Sequence, residues 1–127
     1  MPQQTILVVD DDEPYRRLLY DVLSAKSYRV LLAESGIRAI ELTRQEHPDV
    51  ILLDIRLPDI SGLEVARVLK ATSETREIPI AAITALAMPG DERVIRESGC
   101  DTYMAKPIRI GRLYMLVSGL LGGPVTQ

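Results

Sequence analysis

The chain has little cysteine and no long apolar run, and each shortage excludes a class of protein. Cys100 is the only cysteine, so no internal disulfide can form, which fits a reducing compartment. The first five residues have neither the basic start nor the apolar core of a secretion signal. The longest uncharged apolar stretch, residues 78–89, is too short to cross a bilayer as a helix. We therefore expect a cytoplasmic protein that does not contact a membrane.

Positive charge is also scarcer than negative charge. The chain has 15 Lys and Arg against 18 Asp and Glu, a net charge of −3. Nucleic-acid-binding domains are usually basic, so we expect no direct contact with nucleic acid. The length of 127 residues suits one domain, and a hydrophobic fraction of 46% can build a core without disulfides. We expect a single domain over residues 1–127, with its core at 4–121, a tail at 122–127 and no output domain.

Short apolar runs alternate with segments of helical spacing along the chain. Runs rich in Val, Ile and Leu are typical of strands buried on both faces, and they occur at Ile6–Val9, Val30–Leu32, Val50–Leu53, Ile78–Ile83 and, more weakly, Thr102–Ala105. Between and after them, steps of three and four predict five helices with apolar faces at Tyr15, Leu18, Leu19, Val22 and Leu23; Ile37, Ile40 and Leu42; Leu63, Val65, Ala66, Val68 and Leu69; Val94 and Ile95; and Ile110, Leu113, Leu116, Val117, Leu120 and Leu121. The alternation predicts an α/β protein, a doubly wound sheet of five parallel strands with helices on both faces.

Polar residues follow four of the five strands, at the point where each strand ends. Residues 10–12 are acidic and follow the first strand, Asp54 follows the third, Thr84 follows the fourth, and Lys106 follows the fifth. Ligands of such sheets bind beyond the carboxyl ends of the strands, so these side chains converge if the first and third strands are neighbours. Crowded carboxylates repel one another, and Mg²⁺, for which Mn²⁺ can substitute, relieves that repulsion. A metal, a carboxylate, a hydroxyl and an ammonium together predict a phosphoryl-transfer site.

Each of these residues also has an ordinary structural explanation. The acidic run at 10–13 can begin a solvated helix and interact with the helix dipole. Asp54 can belong to a turn that continues through residues 57–59, Thr84 can bond to nearby backbone, and Lys106 can lie on the surface. Their occurrence at the ends of strands, in an order that converges, favours the shared site.

The ordered set of motifs resembles the receiver domain of response regulators. The resemblance covers residues 4–121, and its motifs are Val-Val-Asp10-Asp11, Pro48-Asp49-Val-Ile-Leu-Leu-Asp54-Ile-Arg-Leu-Pro58, Ile83-Thr84-Ala85 and Ala105-Lys106-Pro107-Ile108. The segment from Thr84 to Cys100 also resembles stand-alone receivers of the DivK type. The resemblance implies the flavodoxin-like (βα)5 fold with strand order 2-1-3-4-5.

The resemblance implies a role for each acidic residue. Asp54 is the phosphoacceptor, and the phosphoryl group comes from a phosphohistidine of a histidine kinase or phosphotransfer protein. Asp11 binds Mg²⁺ directly and Asp10 acts through water, while Asp54 and the backbone carbonyl of Arg56 complete the protein ligands. Asp12 is then not needed by the metal and is expected to cap the first helix.

The resemblance also implies how phosphorylation is passed on. Thr84 and Lys106 bond to phosphoryl oxygens, and the peptide bond before Pro107 is cis. Movement of Thr84 draws Tyr103 inward and changes the face of the fourth helix, fifth strand and fifth helix, where a downstream protein binds. The alternative is a Tyr103 that packs permanently with its hydroxyl in water. The fourth helix, which has few apolar residues, is the expected moving element.

The side chains at two positions predict that the acyl phosphate on Asp54 is hydrolysed more slowly than in most receivers. The residues two beyond Asp54 and two beyond Thr84 often tune hydrolysis in receivers, and here they are Arg56 and Leu86. Neither side chain is a general base, and Leu86 can exclude water. Arg56 can instead reach a phosphoryl oxygen.

Proteins of other classes fit this sequence less well. Haloacid-dehalogenase-type phosphatases have an Asp-x-Asp motif after an apolar strand, which Asp10 and Asp12 resemble. Their motif continues with Thr or Val where this chain has Pro14, and they have a second acidic pair late in the sequence, which this chain lacks. Flavodoxin-like electron carriers bind a phosphate in the first loop, where four acids would repel it. A receiver that only binds partners is disfavoured because the complete set Asp10, Asp11, Asp54, Thr84 and Lys106 is present. Among phosphoaccepting receivers, a diffusible regulator, a relay intermediate and a domain of a hybrid kinase stay open. We expect a phosphoacceptor that catalyses its own phosphorylation and is not a turnover enzyme.

Overall fold

Strands and helices alternate throughout the computed structural model, which describes residues 3–85 and 91–122. The strands are β1 (Thr5–Val9), β2 (Arg29–Ala33), β3 (Val50–Asp54), β4 (Ile80–Thr84) and β5 (Thr102–Ala105). The helices are α1 (Glu13–Ser24), α2 (Gly36–Glu46), α3 (Gly62–Ala71), α4 (Asp91–Glu97) and α5 (Ile110–Leu120). The predicted alternation is confirmed, although β4 begins two residues later than expected because Ile78 donates its N–H to Thr75 in the preceding turn.

The strands form one parallel sheet in the order β2-β1-β3-β4-β5, which confirms the predicted fold and strand order. β1 and β3 are neighbours, and their register runs from Ile6 opposite Val50 to Val9 opposite Leu53. The loops after these two strands therefore leave the same edge of the sheet side by side. The strand order reverses at this point, and sheets of this kind bind their ligands there.

Helices cover both faces of the sheet, and β1, β3 and β4 are buried along their whole lengths. On one face, a cluster of buried side chains joins the sheet to α2, α3 and α4 through residues such as Leu42, Leu69 and Ile95. On the other face, a second cluster joins the sheet to α1 and α5 through Leu23 and Leu113. Among the described helices, none combines the length and the hydropathy that crossing a membrane requires.

Four residues that the helical pattern assigned to buried faces are exposed. They are Leu18, Ile37, Val94 and Ile110, with 43%, 55%, 44% and 43% of their surface exposed. In α2 the predicted Leu42 is buried and Ile40 packs against the core, but the buried face also includes Ala39 and Thr43, whose hydroxyl donates to the Ala39 carbonyl. Spacing of large apolar residues predicts only part of this face, because small residues form the rest of it.

Candidate functional site

Three carboxylates meet at the carboxyl ends of β1 and β3. Asp10 and Asp54 are buried, with 2% and 6% of their surface exposed, whereas Asp11 is exposed. One carboxylate oxygen from each of the three residues lies within 4.8 Å of the others. The structure thus brings together the acids that the sequence placed at the ends of neighbouring strands.

Local hydrogen bonds shape the loop that carries the first two acids. The N–H of Asp10 donates to the carbonyl of Ala33 on β2, and the Asp10 carboxylate accepts a 2.9 Å bond from the N–H of Asp12. Asp12 is the N-cap residue of α1, as expected, but its side chain accepts no capping bond from the part of the chain that the structure describes. Asp12 therefore occupies the expected cap position, while the Asp10 carboxylate supplies the side-chain bond to the backbone at this turn.

Lys106 joins the two buried acids. Its ammonium lies 2.9 Å from Asp10 Oδ2 and 3.2 Å from Asp54 Oδ2. Its backbone N–H donates to the carbonyl of Thr84, which places the loop after β5 beside the end of β4. The Lys106–Pro107 peptide bond is cis, the conformation that the resemblance implies.

The surroundings shift the pKa values of both Asp54 and Lys106. Burial raises the pKa of Asp54, and the charge of Asp10 raises it further, while the N–H of Arg56 and the Lys106 ammonium lower it without cancelling the rise. Burial acts to lower the pKa of Lys106, but the hydrogen bond and charge of Asp10, together with those of Asp54, outweigh burial and raise it. Both shifts follow from negative charge that is confined in a buried space.

The donor atoms of this cluster fit a hard divalent cation. Three carboxylates against one ammonium leave two negative charges when all four groups are ionised. All-oxygen ligands of this kind suit Mg²⁺ and Mn²⁺ better than softer metals. A divalent cation would balance the remaining charge and relieve the repulsion between Asp10 and Asp54.

The remaining predicted site residues lie around this cluster. The N–H of Arg56 donates to Asp54 Oδ1 at 3.0 Å, while the residue itself is exposed. Thr84 is fully buried at the end of β4. Tyr103 is partly buried against the core, and its hydroxyl lies 3.4 Å from a carboxylate oxygen of Glu92 on α4. Leu86, to which the sequence assigned exclusion of water, lies outside the described residues.

Sequence reasoning missed three residues that shape the site. Tyr15 was assigned only to the core, yet the Lys106 ammonium lies over its ring. Arg16 donates to the backbone carbonyl of Asp10 at 2.8 Å. Asp59, from the loop after β3, accepts the N–H groups of the first two residues of α2 at 2.8 Å each. Arg16 lies six residues from Asp10, but the contacts of Tyr15 and Asp59 join residues far apart in sequence. The one local signal in the sequence was Tyr15, an aromatic residue just after the acidic loop.

Comparison with known proteins identifies the family. A family model described as the response regulator receiver domain matches residues 6–118. The chain belongs to the response regulator receiver family. The polar-differentiation response regulator DivK of Brucella ovis is 43% identical over 119 residues, which cover 94% of this chain and 97% of that protein. DivK of Brucella anthropi is 42% identical over 122 residues, or 96% and 98% of the two chains.

Solved receiver structures share the fold. A response regulator structure from Chloroflexus aurantiacus has a TM-score of 0.91 at 30% identity, and the match covers 95% of this chain and 99% of that one. The receiver domain of a sensor histidine kinase from Pseudomonas aeruginosa has a TM-score of 0.89 at 32% identity, with 96% and 100% covered. That structure holds a magnesium ion in its active-site cleft. The chain is thus a DivK-like receiver domain, a component of two-component signalling.

Proposed function

We propose that the protein is a response regulator in which Asp54 accepts a phosphoryl group from a phosphohistidine, in a reaction that depends on Mg²⁺. One observation carries this proposal: the buried Asp54 carboxylate contacts the Lys106 ammonium at 3.2 Å within a cluster of three acids. A structural ion pair would need one acid for one lysine. Two buried acids on one lysine, with a third beside them, leave an excess of negative charge that a divalent cation would balance. The cation and Lys106 would then offset the negative charge of a phosphoryl group.

The reaction forms a bond between an Asp54 oxygen and phosphorus and breaks the bond from phosphorus to the donor's imidazole nitrogen. Asp54 has to be ionised to attack, and the Lys106 ammonium, 3.2 Å from Asp54 Oδ2, would neutralise a phosphoryl oxygen. Asp10, Asp11, Asp54 and the backbone carbonyl of Arg56 would hold Mg²⁺, or Mn²⁺ in its place. When bound, the cation would further neutralise the phosphoryl oxygens. The protein catalyses its own phosphorylation and does not turn over a substrate.

Phosphorylation is proposed to act through Thr84 and Tyr103 on the face of α4, β5 and α5. In the unphosphorylated structure the Tyr103 hydroxyl contacts Glu92 of α4, so inward rotation of Tyr103 would break this contact. α4 has one buried apolar anchor, Ile95, and is the element most easily displaced. The phosphoryl group would shift the population between two existing conformations, and a downstream protein would bind one of them.

The length of the relatives favours a single-domain regulator. The match covers 97% and 98% of the two DivK proteins, so a receiver alone accounts for nearly their whole length. We propose the same organisation here for a cytoplasmic protein, with a histidine kinase or histidine phosphotransfer protein as the phosphoryl donor. The second candidate is a relay step or a receiver from a hybrid kinase, and the likeness to the receiver of a sensor histidine kinase favours it.

Intact-mass measurement after incubation with Mg²⁺ and acetyl phosphate tests the acceptor. We expect one added phosphoryl group on the wild type, none on Asp54→Asn, and none when the metal is chelated. Asp21→Asn, which removes an exposed acid of α1, is the matched control and should be modified like the wild type. An unmodified wild type, or equal modification of Asp54→Asn, would contradict the proposal.

A further inference from the structure

Tyr15, in the first turn of α1, contacts both the lysine of the site and the loop that carries this lysine. The Lys106 ammonium nitrogen lies 4.4 Å from the centre of the Tyr15 ring, within the range of a cation–π attraction. The Tyr15 hydroxyl accepts a 2.9 Å hydrogen bond from the N–H of Ile108, two residues beyond Lys106. One side chain therefore contacts the charged group and also the backbone that places it.

Lys106 requires such contacts because a lysine side chain is flexible. Its ammonium ends a stem of four carbons and has no fixed directional geometry. Within residues 3–85 and 91–122, its hydrogen-bond acceptors are Asp10 and Asp54, and both belong to the acid cluster that would hold a cation. A carboxylate that shares its charge with a metal attracts an ammonium less strongly. The face of the Tyr15 ring is not a metal ligand, so its attraction for Lys106 does not depend on the state of the acids.

We propose that Tyr15 is a positioning residue for phosphoryl transfer. Its ring holds the Lys106 ammonium beside Asp54, and its hydroxyl fixes the loop after β5 through Ile108. Tyr15 acts on the reaction through Lys106. The inference rests on the proposed function of Asp54 and adds a residue to that site.

Two substitutions separate the ring from the hydroxyl. Tyr15→Phe keeps the ring and removes the hydroxyl, whereas Tyr15→Leu removes both. At saturating Mg²⁺ and acetyl phosphate, we expect Tyr15→Leu to lower the phosphorylation rate constant about 3- to 5-fold and Tyr15→Phe to lower it less than about 2-fold. Tyr20→Leu is the matched control, because Tyr20 is an exposed aromatic residue on the same helix, and it should react like the wild type. The dissociation constant for Mg²⁺, measured by calorimetry, should be the same in all four proteins.

Magnetic resonance of the metal-free protein provides a readout that is independent of activity. The ring current of Tyr15 should shift the protons next to the Lys106 ammonium upfield, and this shift should persist in Tyr15→Phe and disappear in Tyr15→Leu. Exchange of the Ile108 amide hydrogen should be faster in both variants, because each lacks the hydroxyl acceptor. A ring-fluorinated phenylalanine at position 15 keeps the shape of Phe but weakens the negative ring face, and it should react more slowly than Tyr15→Phe even if Tyr15→Leu does not fold.

The outcomes distinguish this inference from the proposed function. A wild-type rate in Tyr15→Leu, an equal loss in Tyr15→Phe, or a loss explained by weaker Mg²⁺ binding would each overturn the role of the Tyr15 ring. Absence of the upfield shift in the wild type would overturn it as well. A wild type that acetyl phosphate does not modify would instead overturn the proposed function of Asp54.

Discussion

Among the individual residues, Asp54 has to be ionised in surroundings that favour its protonated form. A carboxylate has to be ionised to attack phosphorus, yet burial beside Asp10 raises its pKa and favours the protonated form. The N–H of Arg56 and the ammonium of Lys106 partly restore the ionised form. The metal-free site therefore holds a carboxylate whose charge destabilises the folded protein at neutral pH.

We expect Asp54→Asn to stabilise the metal-free protein at pH 7, by on the order of 1 kcal/mol in the free energy of unfolding. Because the pKa of Asp54 is raised in the folded state, that state binds the proton more tightly than the unfolded state does. The destabilisation is thus complete above the folded pKa and diminishes as the pH falls through it toward the ordinary value of 3.8. Urea unfolding of both proteins with a chelator, at pH 7 and in mild acid, measures this difference. A wild type that equals Asp54→Asn in stability at pH 7 would contradict it.

The loop between β3 and α3 shows, at the scale of elements, how the phosphoacceptor is held. Asp59 in this loop bonds to the first two N–H groups of α2, and the N–H groups of Ile37 and Gly36 lower the pKa of its carboxyl. The N–H of Gly62 donates to the carbonyl of Ile55 at 2.8 Å. The segment after Asp54 is therefore fixed to two helices, which limits the positions that the acceptor can take.

Gly62→Ala should disturb this arrangement. A Cβ at position 62 would lie 2.3 Å from the backbone oxygen of Asp54 and 2.8 Å from Ile55 Cα, and backbone cannot move aside as a flexible side chain can. We expect a loss of roughly 2 kcal/mol or more in the free energy of unfolding and slower phosphorylation. Gly119→Ala is the matched control, because no described atom outside the neighbouring part of α5 lies within 4 Å of a Cβ there, and it should stabilise α5 by about 0.5–1 kcal/mol. Equal effects of the two substitutions on unfolding by urea would refute the close approach.

At the scale of the whole molecule, charge distribution matters more than the small net charge of −3. Three of the acids are gathered at one edge of the sheet, and two of them are buried. Folding brings these charges together, so a ligand that neutralises them should bind the folded state and stabilise it.

Mg²⁺ should therefore raise the melting temperature of the protein. At a concentration 100 times its dissociation constant, a ligand of the folded state adds about 2.7 kcal/mol to the free energy of unfolding. Asp11→Asn should abolish this increase while changing the metal-free stability by less than about 0.5 kcal/mol, because Asp11 is exposed. Asp12→Asn, an exposed acid next to the cluster, should keep the full increase. Thermal melts with Mg²⁺ and with a chelator measure this increase. If Mg²⁺ still raises the melting temperature of Asp11→Asn, Asp11 is not the metal ligand.

Much of the fold and part of the site could be read from the amino-acid sequence. Runs such as Val50–Leu53 predict buried strands because both faces of a central strand need apolar side chains. A polar residue that ends such a run, such as Asp54, lies at the carboxyl ends of the strands, whatever position its own strand has in the sheet. The fold class and the acids of the site were predicted for this reason.

Tertiary structure alone decided which residues touch. Lys106 lies 96 residues from Asp10 and 52 from Asp54, and only the packing of β1, β3 and β5 brings their side chains together. The Tyr15 ring over Lys106 likewise depends on how α1 lies against the loop after β5. The exposure of Ile37 also follows from tertiary packing. The buried face of a helix is the one that packs most closely against neighbouring elements, and apolar spacing alone does not predict it. The order of residues along the chain is thus enough to predict the elements and the polar groups at their ends. Contacts between distant residues follow only from the folded chain, since they depend on the positions of all the elements at once.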